Sequence, residues 1–304
     1  MSGQFGQIVF VIWRESVEAL LVIGILHAWL ARQVDPTTAK VGRHYLWLGV
    51  LAGLGLAVAL AAVLLFFAEN LPEGAQDYFM TAMVLIAAAL ILQMVFWLRR
   101  HGRSLKTDLE AGLDQAAAQA RHWGLFILAM LAVAREGSET VVFLYGILAA
   151  GASSPGPTVT GIAIGFAAAL FTYWLLQYGS KHLSWRLFFR VTEVMLLLLA
   201  CSLVMNGADH LYGMGVLPSL GGTVWDSSFL LDDGNTFGGL VSALTGYRAR
   251  PDVLSLAVFA VYWGLVLWRL SRTRAVLNGG PNGRGAAQSR PRTSAPIGDQ
   301  EKAL

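Results

Sequence analysis

Long apolar runs dominate this chain, and seven of them are long enough to cross a lipid bilayer. A membrane-spanning helix needs about 20 predominantly apolar residues. The segments that reach this length are 7–31, 43–68, 78–98, 123–149, 158–179, 187–209 and 251–270. Composition agrees, because 56% of the 304 residues are hydrophobic and only 13% are charged. A soluble domain is charged at about one residue in four. We therefore predict an all-α integral membrane protein with seven transmembrane helices.

The charges between these segments predict the orientation of the chain. Lys and Arg concentrate in the short cytoplasmic loops of membrane proteins. The connections after the first, third and fifth segments are basic, as is the sequence after the seventh. Acidic residues follow the second segment and precede the seventh. The N-terminus is therefore predicted outside and the C-terminus inside, with Arg248 and Arg250 as exceptions in a predicted outer loop.

The predicted domain organisation is one membrane domain, residues 1–272, followed by a cytoplasmic tail. Residues 273–304 are rich in Gly, Pro, Arg and Ser, a composition typical of disorder. The outer loop 213–250 is rich in Gly, Ser and Asp, and its 235–247 part is apolar enough for an interfacial or re-entrant helix. Residues 104–120 are predicted to form a short cytoplasmic helix.

Two five-residue stretches place charges in the middle of apolar segments. Arg14-Glu-Ser-Val-Glu18 lies in the first segment and Arg135-Glu-Gly-Ser-Glu139 in the fourth. Helix residues three and four apart share one face, so each stretch directs an arginine and two carboxylates to the same side. A charge at the bilayer centre costs roughly 2.5–3.5 kcal/mol on insertion scales. The six charges are therefore predicted to face the interior of a helix bundle.

The same stretches indicate an inverted repeat of three plus three spans, with the last helix, 251–270, outside it. The repeats cover about residues 7–98 and 123–209, and their first spans run in opposite directions in the predicted topology. The second span of each repeat carries a Gly-x-x-x-Gly pair, in which small residues let helices approach closely: Gly49 with Gly53 and Gly161 with Gly165. The pairs leave open whether the helices pack within one subunit or between subunits of a homo-oligomer.

A repeat of this kind predicts a cation site near the middle of the membrane. Inverted repeats place substrate sites at their interface near the midplane. Carboxylate oxygens suit hard or borderline cations, and a cluster of carboxylates is unfavourable until positive charge arrives. The predicted ligands are Glu15, Glu18, Glu136 and Glu139. Arg14 and Arg135 are predicted to orient them, since guanidinium repels a metal. The alternative is a pair of structural salt bridges that lock the helices together.

At these residues the chain resembles the high-affinity iron permeases, which comprise the fungal oxidase-dependent permease and the bacterial EfeU-type transporters. Their hallmark is R-E-x-x-E in the first and fourth of seven spans. The similarity extends to the stretch from Met94 to Arg100 and to Phe237-Gly-Gly, and covers about residues 5–272. The resemblance implies iron, Fe²⁺ or Fe³⁺, as the transported substrate, no organic cofactor, and a place in the bacterial cytoplasmic membrane. It also implies periplasmic partners that bind or oxidise iron.

Further polar residues are predicted to support the site or the route to it. Ser138 and Thr140 are candidates for hydrogen bonds to the site, although hydroxyls in spans often bond to their own helix backbone. The field of outer acids can gather cations. The candidates for the route in or out are Asp77, Asp209, His210, Asp226, Asp232, Asp233 and Glu193. The alternatives are solvated loop residues and, for Glu193, an ion pair with Arg190.

Functions other than iron transport are alternatives for the same residues. A permease for manganese or lead would use the same oxygen ligands, and a structural membrane subunit would use only the salt bridges. An intramembrane enzyme is disfavoured, because the chain contains neither a His-Glu-x-x-His nor a Gly-x-Ser-x-Gly stretch. Nucleic-acid binding is not expected, since the basic residues are spread among the loops. The single cysteine, Cys201, excludes an intramolecular disulfide.

Overall fold

Helices form nearly all of the regular structure in the computed structural model, which describes residues 2–32, 36–101, 122–151, 155–178, 185–218 and 221–278. Within these residues the helices are α1 (Ser2–Ala31), α2 (Pro36–Asn70), α3 (Glu73–His101), α4 (His122–Ala149), α5 (Pro155–Tyr178), α6 (Trp185–Gly213), α7 (Thr236–Thr245) and α8 (Val253–Asn278). Each of the seven predicted apolar segments coincides with a long helix, and α7 lies in the predicted outer loop.

Five of the long helices, α2, α3, α5, α6 and α8, have both the length and the composition of a membrane span. Helices α1 and α4 are 30 and 28 residues long, but each carries one arginine and two glutamates near its middle. The predicted count of seven spans therefore depends on α1 and α4 turning these charges away from lipid.

The last described helix extends beyond the predicted start of the tail, and the domain boundaries stay predictions. Helix α8 continues to Asn278, past the predicted start of the tail at residue 273. Residues 279–304 and the predicted helix at 104–120 lie outside the described residues. Within the unit that begins at Trp263, the Arg272 guanidinium lies 4.0 Å from the centroid of the Trp268 ring, as in a cation–π contact.

The first helix of each predicted repeat packs against the second helix of the other repeat. Helix α1 contacts α5, and α4 contacts α2. The glycine pairs make these contacts close: a Cβ on Gly53 would lie 2.7 Å from the carbonyl oxygen of Met130, and one on Gly165 would lie 2.8 Å from that of Val9. Both glycine pairs thus pack within the subunit, which resolves the question that the sequence leaves open.

The two close contacts have the same register. Met130 precedes Arg135 by as many residues as Val9 precedes Arg14. The glycine contacts therefore lie just before the charged stretch on both α1 and α4. Helices α1 and α4 also pack against each other, so backbone contacts set the depth at which the two charged stretches meet.

Large apolar side chains cover the outside of the bundle. On α2, Leu51, Leu54 and Phe66 are exposed, and on α5 so are Phe171 and Trp174. In water such faces would be unfavourable, but lipid tails are as apolar as these side chains. These faces are the surfaces expected to contact lipid.

An apolar cluster fills the end of the bundle where α1 finishes and where α2 and α4 begin. Its buried members are Leu26 and Leu30 of α1, Leu46 of α2, and Leu125 and Ala129 of α4. In the predicted orientation this is the cytoplasmic half of the bundle. Apolar packing among α1, α2 and α4 therefore closes that end of the bundle.

Candidate metal centre

The charges in the middle of α1 and α4 come together inside the bundle. Glu15 and Glu18 of α1 and Glu136 of α4 each offer a carboxylate oxygen, and the three atoms all lie within 4.8 Å of one another. Glu139 follows Glu136 on the same face of α4, and both lie within 4.0 Å of Arg135 Nε. The structure thus groups three of the four residues that the sequence predicts as ligands, and Glu139 lies one turn further along α4.

Arg14 is enclosed by the site. Its guanidinium donates from Nη1 to Glu15 Oε1 and from Nη2 to Glu18 Oε1, each at 2.5 Å. Nη1 also lies 2.9 Å from the sulfur of Met94 on α3. The Arg14 side chain is 1% exposed. Such a forked, buried contact fixes the two carboxylates of α1 in one orientation.

Arg135 occupies the equivalent position on α4 but is held differently. Its Nε lies 3.1 Å from Glu139 Oε1 and 4.0 Å from Glu136 Oε1, and its side chain is 46% exposed. The guanidinium lies 4.7 Å from the centroid of the Trp97 ring of α3. Glu136 therefore has much weaker compensation from arginine than Glu15 or Glu18.

Three carboxylate oxygens of the site are buried without a hydrogen-bond partner in the described part of the chain. They are Oε2 of Glu15, Glu136 and Glu139. A buried acceptor without a donor is costly and calls for an explanation. Salt bridges that only lock helices would not require these oxygens, whereas a hard or borderline cation would be bound by them. The residues therefore fit a metal ion better than a structural lock.

The hydroxyls near the site serve the helix backbone. Ser138 Oγ donates to the carbonyl oxygen of Arg135 at 2.8 Å, and Thr140 Oγ1 donates to that of Glu136 at 2.8 Å. A hydroxyl has one proton to donate. The predicted support of the carboxylates by hydrogen bonds from these two residues is therefore not what the structure contains.

Sequence reasoning missed two residues that support the site. Met94 and Trp97 lie three residues apart on α3 and so share a face. Met94 contacts Arg14 and Trp97 contacts Arg135, so one face of α3 contacts the arginines of both predicted repeats. The signal was present, because both residues belong to the stretch that carried the family resemblance.

Two of the predicted outer acids organise their own loop. Asp226 accepts a hydrogen bond from the Ser228 N–H at 2.9 Å and another from Arg250 Nε at 3.0 Å. The hydrogen bonds from Ser228 are the main reason why the pKa of the Asp226 carboxyl lies below its usual range, and the nearby Arg250 charge contributes less. Asp232 Oδ1 accepts the Gly234 N–H at 2.9 Å. Both acids thus have local roles in the loop.

Other candidates for the route lie at the ends of α3 and α6. Asp209 of α6 forms an ion pair with Arg248, which gives that predicted outer arginine a partner. His210 follows Asp209 near the end of α6, and Asp77 is exposed near the start of α3. None of these three belongs to the cluster of Glu15, Glu18 and Glu136.

Glu193 pairs with Arg99 of α3, not with Arg190 as the sequence suggested. Arg190 is exposed, whereas the pair joins the end of α3 to the beginning of α6. The sequence favoured Arg190 because it lies three residues away on the same helix. A partner on another helix can be identified only from the three-dimensional structure.

We expect Arg14→Gln to destabilise the protein far more than Arg135→Gln. Removing one partner of a buried ion pair costs roughly 3–5 kcal/mol, and Arg14 leaves two buried carboxylates behind. Arg135 is half exposed, so its loss should cost about 1 kcal/mol or less. Thermal unfolding of the two purified variants in the same detergent measures the difference. Equal losses of stability would contradict the asymmetry described above.

Known iron permeases are similar to this chain over nearly all of its membrane part. The model of the Iron permease FTR1 family matches residues 6–273. The ferrous iron permease EfeU of Escherichia coli O6:H1 is 30% identical over 256 residues, which cover 83% of this chain and 90% of that protein. EfeU of Yersinia pestis is 25% identical over 256 residues, 83% of this chain and 88% of that protein. No solved structure matches the chain.

Proposed function

The chain belongs to the iron permease FTR1 family, and from this premise we propose that it carries iron(II) inward through the glutamate cluster of α1 and α4. Iron is its transported substrate, and the protein is a permease, not an enzyme. It is a multi-pass integral membrane protein of the bacterial inner membrane. The relatives carry the name of ferrous iron permeases, which supports iron(II) as the substrate.

The observation that carries the proposal is the group of buried, unpartnered carboxylate oxygens between α1 and α4. Four glutamates and two arginines give the site four negative and two positive charges, hence a net charge of −2 when all are ionised. A divalent cation would neutralise this charge. It would also supply the missing partner of the free oxygens, so binding replaces repulsion by coordination.

Each group has a distinct role in this mechanism. The carboxylates replace part of the hydration shell of the ion, and the arginines keep one oxygen of Glu15, Glu18 and Glu139 turned toward them, so that the second oxygens stay available. Transport inward is favoured by the membrane potential in the predicted orientation. It contributes roughly 2.3 kcal/mol per charge per 100 mV, about 4.6 kcal/mol for a divalent ion.

Flux into proteoliposomes tests the proposal. We expect anoxic Fe²⁺ uptake well above that of protein-free liposomes and a rise when a potential, negative inside, is imposed. Fe³⁺ held soluble by a weak chelator should enter at less than about a tenth of this rate, because three charges exceed the compensation available at the site. Absence of protein-dependent Fe²⁺ flux would overturn the proposal. Equal uptake of Mn²⁺ would identify a general divalent cation permease instead.

A further inference from the structure

A polar cavity of about 640 Å³ lies beside the beginning of α1. Its walls are formed by residues of α1, α6 and α7, of the loops before and after α7, and of the turn that follows α4. Its polar side chains include Gln7, Ser202, Asn206, Asp233, Asn235 and Ser242. In the predicted orientation the cavity is on the outer side of the membrane, at the end of the bundle opposite to the apolar cluster.

The cavity lies above the glutamate cluster along one face of α1. Gln7, Val11 and Glu15 follow at four-residue intervals, which places them on the same face of the helix. Gln7 lines the cavity, and Val11 is fully buried. Eight residues of helix rise about 12 Å, or roughly two turns, so about two turns with the buried Val11 between them separate Gln7 from the first carboxylate.

The chemistry of the walls suits a cation that keeps its water. Asp233 is the one carboxylate among the described lining residues, and amides and hydroxyls supply most of the other polar groups. Arg248 also lines the cavity, but Asp209 and Asn206 hold its guanidinium. Six waters occupy about 180 Å³. The cavity is therefore large enough for an ion with its first hydration shell.

Two of the polar side chains in the cavity are built into the bundle. Gln7 is 1% exposed and Ser202 is 2% exposed. Gln7 Nε2 donates to Ser202 Oγ at 3.4 Å and to the carbonyl oxygen of Ala243 on α7. Burial of such polar groups is costly unless they form hydrogen bonds. Their position at the floor gives the cavity a fixed polar base.

The matching positions of the other repeat are apolar. Leu128 and Ala132 of α4 precede Arg135 by as many residues as Gln7 and Val11 precede Arg14. Leu128 packs against the apolar cluster. The polar group that leads toward the glutamates thus belongs to α1, and its counterpart on α4 is part of the closed end of the bundle.

We propose that this cavity is an outer vestibule, in which a hydrated divalent cation is held near Asp233 before it passes Val11 and exchanges water for the glutamates. This inference rests on the proposed function. It adds a second binding site, distinct from the glutamate cluster, whose ligands act through water.

A single-cysteine experiment tests the vestibule. Cys201 is the only cysteine and is buried, so Cys201→Ala gives a cysteine-free background. Ser242→Cys then places a thiol in the cavity, and Gly222→Cys, where a side chain meets nothing within 4 Å, places one in the exposed loop. Both should react with a cationic, membrane-impermeant methanethiosulfonate added outside intact cells. Anoxic Fe²⁺ should slow labelling of Ser242→Cys at least about fivefold and leave Gly222→Cys unchanged.

Two further variants separate the vestibule from the glutamate cluster. Asp233→Asn, which keeps an oxygen acceptor for the Ala249 N–H, should abolish the protection of Ser242→Cys. Glu136→Gln should leave that protection intact, although it removes a ligand of the deeper site. In flux assays, Asp233→Asn should raise the Fe²⁺ concentration for half-maximal uptake about tenfold and leave the maximal rate unchanged.

Several results would overturn the vestibule. These are equal protection of both thiols, protection that survives Asp233→Asn, protection lost with Glu136→Gln, and labelling of Ser242→Cys from the cytoplasmic side only. Thiol labelling reports occupancy without transport. A failure here with intact Fe²⁺ flux would refute the vestibule alone, whereas absent flux in the wild-type protein would refute the proposed function.

Discussion

Glu136→Gln is expected to lower Fe²⁺ uptake at least about 100-fold while leaving the protein as stable as the wild type or more stable. Loss of a residue that only supports a metal ligand costs 10–100-fold in metal affinity, and loss of a ligand costs more. Glu136 contributes one of the three clustered oxygens and one of the buried oxygens without a partner. Its nearest arginine atom lies 4.0 Å away, so the metal-free protein gains little from its charge.

The combination of lost uptake and retained stability is what separates a transport site from a structural lock. In a lock, Glu136→Gln would weaken an ion pair and lower the unfolding temperature. In a cation site it removes repulsion among carboxylates, and stability is gained where activity is lost. Uptake in proteoliposomes and thermal unfolding of the same preparation provide both readouts.

Glu69→Gln is the matched control for this experiment. Glu69 lies near the end of α2, is exposed, and is not in the cluster. The substitution removes the same charge by the same isosteric change, and uptake should stay within about twofold of the wild type, since an exposed charge is screened. Wild-type uptake by Glu136→Gln would remove the glutamate cluster from the mechanism.

Gly53→Val is expected to prevent stable folding of the protein. A Cβ at this position would lie 2.7 Å from the carbonyl oxygen of Met130 and 2.9 Å from the backbone nitrogen of Ala134. Backbone atoms cannot turn aside as a flexible side chain can, so α2 and α4 would have to separate. Inserting extra atoms into a packed interface costs about 1–3 kcal/mol, occasionally more. Here we expect more than about 3 kcal/mol, seen as little folded protein in the membrane fraction.

Gly55→Val is a control on the same helix. A Cβ at Gly55 would meet nothing within 4 Å, and the change in helix propensity is the same. We expect Gly55→Val to give folded protein with wild-type elution in size-exclusion chromatography in detergent, while Gly53→Val aggregates. Gly165→Val should behave like Gly53→Val, because its Cβ would lie 2.8 Å from the carbonyl oxygen of Val9. Folded Gly53→Val protein would show that this close contact does not determine the fold.

These glycine contacts matter to the metal centre because they lie next to it. The Cβ position of Gly53 also lies 2.9 Å from the backbone nitrogen of Ala134, the residue before Arg135. A helix displaced by the width of a methyl group would move the carboxylates of α4 against those of α1. Partial folding of Gly53→Val should therefore be accompanied by loss of uptake.

Local patterns predicted the helices well, because membrane helices depend on the residues within them. Each apolar run reaches the required length by itself, and the spacing of Arg14, Glu15 and Glu18 places them on one face whatever the neighbours are. The same reasoning carried the resemblance, which the family match over residues 6–273 confirmed. The orientation, the count of seven spans, the periplasmic partners and a homo-oligomer stay predictions.

Contacts between distant segments were beyond local reasoning. Spacing on one helix suggested Arg190 for Glu193, but the folded chain supplies Arg99 from α3. In the same way, Met94 and Trp97 of α3 reach the arginines of two other helices. Such partners depend on how the helices pack against one another. Apolar segments of similar composition do not specify that packing.

The sequence by itself determined that six charges must be turned away from lipid and that two helices must carry them, because charge in lipid is costly and helical spacing is fixed. Only the tertiary structure decided that three carboxylates converge to within 4.8 Å, that Arg14 is enclosed while Arg135 is half exposed, and that a polar cavity opens at one end. Close approach of backbones at glycines on α2 and α5 holds α4 and α1 in place. Distances between helices are a property of the packed bundle, not of any one segment.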